Sequence, residues 1–451
     1  MRTNTPPSSQ PLRIAVVGTG IAGMSAAWLL SARHEVTVYE KARWIGGHSH
    51  TVDAPDVAGA VMPVDTGFIV YNNATYPNLT ALFEHLGVPI QDSEMSFAVS
   101  ARNGQLEYGG SDLSTLFAQR RNLLRPNFWR MLRDIVRFYR QAPRDRVALG
   151  ESLLSLGDYL DQNKFSRVFQ EDHLLPMASA IWSCPQGSAR DYPAAAFTWF
   201  CETHGLLSLS ERPQWRTVSG GSRAYVARLT ERYADRISLE RGVRRIRREE
   251  DRVLIEDSEG KVLPFDHVVL ACHADEALGL LDAPDTREQE LLGAFRYTSN
   301  LALLHTDTRL MPKRRAVWSS WNYIAQDSAE DNAPCVTYWM NRLQNLPTER
   351  QIFLTLNPPQ TLRVENILAR NVYEHPIFDA GAIAAQRKLW SLQGERRSWF
   401  CGAYFGAGFH EDGLQAGLAV AEALGGERRP WLVDNESGRI HLGTAQPIGA
   451  M

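Results

Sequence analysis

Gly18, Gly20 and Gly23 fall in the spacing G-x-G-x-x-G, and Glu40 follows 17 residues after the third glycine. Glycines in that pattern let backbone N–H groups approach phosphate oxygens at the start of a helix, whose dipole favours negative charge there. A carboxylate about 20 residues on, at the tip of the next strand, accepts hydrogen bonds from ribose hydroxyls. Together these groups have the chemistry to hold an adenosine diphosphate moiety. They do not by themselves separate a nicotinamide from a flavin dinucleotide, because both contain the same ADP half.

The elements that must position these residues surround the motif. Arg13–Val17 (RIAVV) is a β-branched run ending at Gly18, Met24–Ser31 continues with helix formers, and Glu35–Tyr39 (EVTVY) supplies a second strand closed by Glu40. Strand, turn, helix and strand make a βαβ unit of about 30 residues. From Tyr76 to about Trp215 the pattern turns helical, with Asn127–Gln141 showing helical periodicity. Ile237–Ala271 returns to strands, with an Asp-Ser-Glu-Gly turn and a last apolar strand, Val268–Ala271. Four short β-rich segments, Asn300–His305, Val317–Tyr323, Cys335–Met340 and Ile352–Asn357, predict an antiparallel sheet, and Trp399–Leu424 reads as strand, glycine-rich turn and helix. The expected fold is therefore α/β. A discontinuous Rossmann-like domain spans 11–75, 215–285 and 396–430, and an α+β substrate domain spans 76–214 and 286–395. Residues 1–10, polar and carrying two prolines, read as a disordered tail.

Composition bounds the partners. A formal charge of −3 on 451 residues gives no global pull toward nucleic acid. Five scattered cysteines without a C-x-x-C pair fit a reducing, cytoplasmic location. No apolar run approaches the roughly 20 residues needed to cross a bilayer, so any membrane contact is expected to be peripheral, at the inner face. His173, His204 and His305 have no acidic partner at ligand spacing, and no metal site is assigned.

After Glu40 come Lys41-Ala-Arg-Trp-Ile-Gly46-Gly47-His48-Ser-His-Thr51 and then Val64-Asp65-Thr66-Gly67-Phe68, while Phe405 to Gly417 reads FGAGFHEDGLQAG. Here the chain resembles, over nearly its whole length, the flavin amine oxidase superfamily, which includes phytoene-type desaturases and protoporphyrinogen oxidases. The C-terminal segment is similar to that of a subgroup of bacterial FAD-dependent oxidoreductases, some associated with modified membrane fatty acids. The resemblance implies FAD, a binding domain of the GR2 type, and cofactor contacts at Gly18, Gly20, Ile21, Ala22, Gly23, Glu40, Lys41, Gly46, Gly47, His48, Thr66, Gly67, Val243, Gly402, Glu411, Asp412 and Gly413. Trp44 and His48 stand where the family has arginines in its diphosphate turn. The guanidinium fork is thus replaced by backbone amides and one imidazole.

Flavin oxidation needs a C–H or N–H bond held against N5 in a water-poor pocket. The antiparallel sheet is expected to cover the flavin, with Trp321, Tyr323, Tyr338 and Trp339 forming an apolar substrate pocket. His410, beside the C-terminal glycine turn, is the candidate catalytic residue, and His50 reads as a solvated loop residue. Tyr404 and Phe405 are a candidate aromatic pair for an amine. Phe128, Met131, Leu132, Ile135 and Tyr139 share one face of a helix, and Arg130, Arg133, Arg137 and Arg140 the other. That face is either core with solvated arginines or a basic amphipathic helix on anionic lipid. The expected function is an FAD-dependent desaturase or oxidase of a lipid-like acyl chain, drawn from an apolar small molecule or a phospholipid. The alternatives are oxidation of a small amine, a non-catalytic FAD-stabilised membrane binder, and an NAD-dependent dehydrogenase, which the lack of a second GxGxxG disfavours.

Overall fold

In the computed structural model, which describes residues 10–150, 152–203, 205–207, 213–325, 334–359 and 363–443, Arg13–Val17 is the central strand of a five-stranded parallel sheet. The strand order is Ile237–Ser238, Glu35–Tyr39, Arg13–Val17, His267–Leu270 and Ser398–Phe400. Val16 lies between Val38 on one side and Val269 on the other. Helices cover this sheet, so its strands are apolar on both faces, as parallel strands must be. The expectation for the N-terminal tail falls almost wholly outside the described residues, as does His204.

The helix Ile21–Leu30 is buried along its whole length. It packs against the C-terminal helix His410–Ala423 at Gly417, where a Cβ would stand 2.2 Å from the Ala22 carbonyl oxygen. Only glycine allows that approach, and it brings the N-terminal end of the second helix to the same cavity as the phosphate-loop glycines.

The second sheet has seven strands, in the order Ile367–Ile377, Arg296–His305, Phe353–Leu356, Cys335–Trp339, Trp321–Ile324, Phe97–Ala101 and Leu106–Gly109. All neighbouring pairs are antiparallel except Trp321–Ile324 with Phe97–Ala101. Three of these strands go beyond the sequence reading. Phe97–Ala101 and Leu106–Gly109 are too short to stand out in a helical stretch, and Ile367–Ile377 is a polar edge strand without an apolar period.

The amphipathic helix runs from Pro126 to Leu149. Phe128, Met131 and Ile135 are buried in the core. Arg137 turns onto the Phe165 ring, 4.1 Å from its centroid, and bonds the Asn163 carbonyl. No helix among the described residues is long and apolar enough to cross a membrane.

Candidate active site

A cavity of about 1110 Å³ lies between the two sheets. Ligand pockets usually span roughly 300–1,000 Å³, so this one has room for a dinucleotide and a substrate together. One half is walled by the phosphate-loop glycines and the turn at Gly46–Gly47, the other by the seven-stranded sheet and the helical lobe.

In the first half, Gly18, Gly20, Ile21, Ala22, Glu40, Lys41, Gly46, Gly47, His48, Thr66, Gly67, Val243, Gly402 and Gly413 all reach the cavity. The Glu40 carboxylate orients the loop: one oxygen accepts from the Thr19 amide at 2.9 Å and the Thr19 hydroxyl at 2.6 Å, the other from the Ala42 amide at 2.8 Å. A carboxylate offers about four acceptor sites, which leaves capacity for a ribose hydroxyl. His48 Nε2 is shut off from solvent and has no hydrogen-bond partner. An orphaned buried imidazole nitrogen, the open backbone at Gly20, where a Cβ would meet nothing within 4 Å, and a helix N-terminus facing one space form a site that fits the diphosphate of FAD.

Three residues expected to contact the cofactor also have packing or side-chain roles of their own, the contact expected at Glu411 and Asp412 being through backbone amides. Gly23 lies behind the loop, where a Cβ would meet the Gly18 oxygen at 2.0 Å, so it serves helix–strand packing. Glu411 points away from the cavity and caps the helix Pro77–His85, accepting the Asn78 amide at 3.1 Å and the Leu79 amide at 3.0 Å. Asp412 accepts the Phe409 amide at 2.7 Å and pairs with Arg439 at 3.1 Å.

His410 lines the cavity as the first residue of its helix. Its ring stacks on Phe68 at 3.9 Å, and Nε2 lies 2.7 Å from the Tyr225 hydroxyl and 3.3 Å from Ser49 Oγ. Burial pushes its pKa down to about 3. Nearby stand residues the sequence reading passed over. Burial, and then the charge of His273, bring the His375 pKa to about 4. Tyr373 bonds Thr66 Oγ1 at 2.7 Å, and its ring lies 5.0 Å from His48. His50 is not a solvated loop residue: it stacks on Trp44 at 4.2 Å and lies 3.2 Å from the Tyr373 hydroxyl. The signal for this group was the alternation of Tyr373 and His375 along one strand, hidden by its polar neighbours. His273, Glu276 and Glu374 also bring ligand atoms within 4.8 Å of one another. Lys41 pairs with Glu276, so that cluster carries its own cation.

The second half is an apolar channel. Leu354, Tyr338, Trp321 and Phe97 stand opposite one another in register across four strands, and all four face the cavity. Trp339, next to Tyr338, faces the other side of the sheet by strand alternation and packs on Trp318 at 5.5 Å. Tyr323 takes a hydrogen bond from Gln186 at 2.9 Å and does not reach the cavity. Phe405 is buried behind Tyr404, with centroids 5.0 Å apart, so this pair forms no cage. Cys401 is buried outside the cavity, and Cys272 borders it. At the inner end His173 Nδ1 lies 3.0 Å from the Tyr108 hydroxyl, and burial lowers the His173 pKa to about 4.

A family model described as flavin containing amine oxidoreductase matches residues 21–338. The chain is 24% identical to flavin-containing amine oxidase A of Canis lupus familiaris over 278 residues, 57% of this chain and 49% of that protein. It is 25% identical to flavin-containing amine oxidase B of Bos taurus over 269 residues, again 57% of this chain and 49% of that protein. The chain thus spans about half the length of the curated relatives it matches. Among solved structures, a CLA-producing fatty acid isomerase from P. acnes superposes with a TM-score of 0.64 at 16% identity, covering 92% of this chain and 99% of the other. A putrescine oxidase mutant gives 0.67 at 14% identity with coverage of 92% and 99%. Cyclohexylamine oxidase from Brevibacterium oxydans gives 0.61 at 16%, with 92% and 100%. These likenesses establish the fold.

Proposed function

Because the chain belongs to the family of flavin-containing amine oxidoreductases and takes FAD as its cofactor, we propose that it desaturates or oxidises a lipid-like acyl chain. The observation that carries this reading is the charge of the channel. Among the described residues lining the cavity, the only carboxylates are Glu40, Glu276 and Glu374, all in the dinucleotide half or its mouth. An ammonium entering the channel between Phe97, Trp321, Tyr338 and Leu354 would lose its hydration without gaining a counter-charge. A methylene chain loses nothing there and gains burial. Structural neighbours bear the names of both a fatty acid isomerase and amine oxidases, so the fold alone does not choose between them.

Bound FAD supplies a two-electron acceptor. The chain's own groups do the rest. The in-register row of side chains aligns an extended substrate and excludes water. Tyr225 holds His410 by its Nε2, and the low pKa keeps that imidazole neutral at the cavity wall, a fixed hydrogen-bonding group rather than a proton carrier near neutral pH.

The test is anaerobic addition of unsaturated or branched acyl lipids in detergent micelles to the purified holoprotein. Bleaching of the visible flavin band is the expected result, and its absence with every acyl lipid would remove the reading. A second reading, oxidation of a small amine, draws support from the names of the curated relatives. It predicts peroxide release with polyamines or monoamines and no bleaching by acyl lipids.

A further inference from the structure

The face ahead of the long helix combines exposed apolar side chains with unneutralised arginines. Leu124 is 86% exposed, Trp129 49% and Leu123 46%. The Trp129 indole N–H donates to the Leu123 carbonyl at 2.9 Å, which fixes these side chains side by side. Around them, among the described residues, the Arg121 and Arg125 guanidiniums bond only to carbonyl oxygens: Arg125 to Gln105 at 2.8 Å and to the Asn122 side chain at 3.1 Å, and Arg121 to Gly104 at 3.3 Å and to Gln105. Carbonyls satisfy hydrogen bonds but cancel no charge. Arg102 has a carboxylate partner, Asp172, at 2.7 Å. Burial first, and then the charges of Arg121 and Arg102, lower the Arg125 pKa from its ordinary value. Arg120, Arg130 and Arg133 are exposed as well, Arg133 beside Asp134 at 3.4 Å. Between Arg102, Leu124 and Arg125 lies a second hollow of about 450 Å³, floored by Phe128 and Met131.

This face backs onto the substrate channel. Tyr108, at the channel's inner end, lies 5.7 Å from the Phe128 ring, Phe128 5.9 Å from Phe117, and Phe117 5.5 Å from Trp129. A large aromatic and aliphatic side chains beside cations match a bilayer boundary, where the indole sits at headgroup level and arginines meet phosphates. A protein partner would have to present anionic groups and an apolar socket at once; an anionic leaflet presents phosphates and apolar chains everywhere.

We propose that this face docks the protein on an anionic lipid bilayer, with Leu123, Leu124 and Trp129 entering the headgroup region and Arg121 and Arg125 contacting lipid phosphates. The contact differs from the one the amphipathic pattern suggests, because the apolar side of that helix is spent on the core. Its purpose rests on the acyl-substrate reading, since a bilayer is where such chains are stored.

The experiment is vesicle co-sedimentation of the holoprotein with phosphatidylcholine alone and with added phosphatidylglycerol, at low and high salt. Wild type is expected to bind the anionic vesicles and to lose binding with salt. The variants Leu124→Glu and Arg121→Glu/Arg125→Glu should each bind roughly tenfold more weakly or worse, with unchanged flavin absorbance as proof of folding. Equal binding to both vesicle types, or variants that bind like wild type, would overturn the proposal. So would a concentration-dependent dimer abolished by Leu124→Glu without vesicle binding, which would give the face to a second copy. Failed docking with lipid bleaching intact in micelles refutes only the docking; docking without bleaching by any lipid refutes only the substrate reading.

Discussion

The Tyr225 hydroxyl and His410 Nε2 meet at 2.7 Å, joining the helix Arg223–Thr230 to the first turn of the helix His410–Ala423 across the cavity wall. Ser49 bonds Tyr225 as well, and Phe68 lies flat on the imidazole at 10°. The ring is thereby fixed in position and in plane.

Tyr225→Phe should leave FAD bound but loosen that ring. His410 Nε2 then keeps only the longer contact with Ser49 Oγ at 3.3 Å, and the lost hydrogen bond costs about 0.5–1.5 kcal/mol. The expected outcome is a lower melting temperature, full flavin absorbance, and turnover reduced severalfold at unchanged KM. Turnover equal to wild type would show that His410 needs no positioning.

Gly23→Ala places a methyl group 2.0 Å from the Gly18 oxygen, inside contact distance of a backbone atom that cannot move without opening the phosphate loop. Overpacking of this kind costs about 1–3 kcal/mol, and here it also distorts the loop. Purified protein should carry little flavin, read as the ratio of visible to ultraviolet absorbance. Retention of full flavin content would contradict the packing role.

Glu411→Gln separates a capping role from a cofactor role. The carboxylate accepts two backbone amides at the start of the helix Pro77–His85 as well as the Asn78 and Gln415 side chains. An amide supplies only one acceptor oxygen, so stability should fall by about 1–3 kcal/mol in denaturant titration. FAD affinity of the folded protein should stay within about twofold, because the side chain does not border the cavity.

Acid should destabilise the FAD-free protein. Burial lowers the pKa values of His173, His267, His305 and His375 to about 4 and of His410 to about 3. In the unfolded chain these groups titrate near 6.5. Between those limits the unfolded state binds more protons, so stability rises with pH and is lost as pH falls through the window. Asp65, raised to about 6 by burial against its hydrogen bonds from Thr51 and Ser222, and Glu411 and Asp412, which burial also raises, act in the opposite sense, but burial lowers His34, His48 and His50 as well, so eight imidazoles stand against three carboxyls. The melting temperature should be lower at about pH 5 than at about pH 7.5; a flat or reversed profile would show these imidazoles to be solvated.

The dinucleotide half was legible because its constraints are local. Gly18, Gly20, Ile21 and Glu40 follow a strand and open a helix within one βαβ unit, and spacing along the chain translates directly into geometry. The orientation of Glu411 was not legible, because it depends on amides more than 330 positions away. Trp339 and Tyr338 differ only in strand parity, which needs the register of the sheet. Tyr373 and His375 were hidden on an edge strand whose half-exposed residues show no apolar period.

Leu354 offers the sharpest separation of the two substrate classes. It closes the row Leu354, Tyr338, Trp321 and Phe97, in the channel half and away from the phosphate loop. Leu354→Trp should fill the channel without touching the residues assigned to FAD. Long-chain acyl lipids should then cease to bleach the flavin while shorter chains still do, and Leu354→Ala should restore or extend the accepted length. A small amine would be indifferent to that block if it reacts near the His410 wall. Bleaching by long chains that persists in Leu354→Trp, with flavin content intact, would mean that the acyl chain does not run along this row.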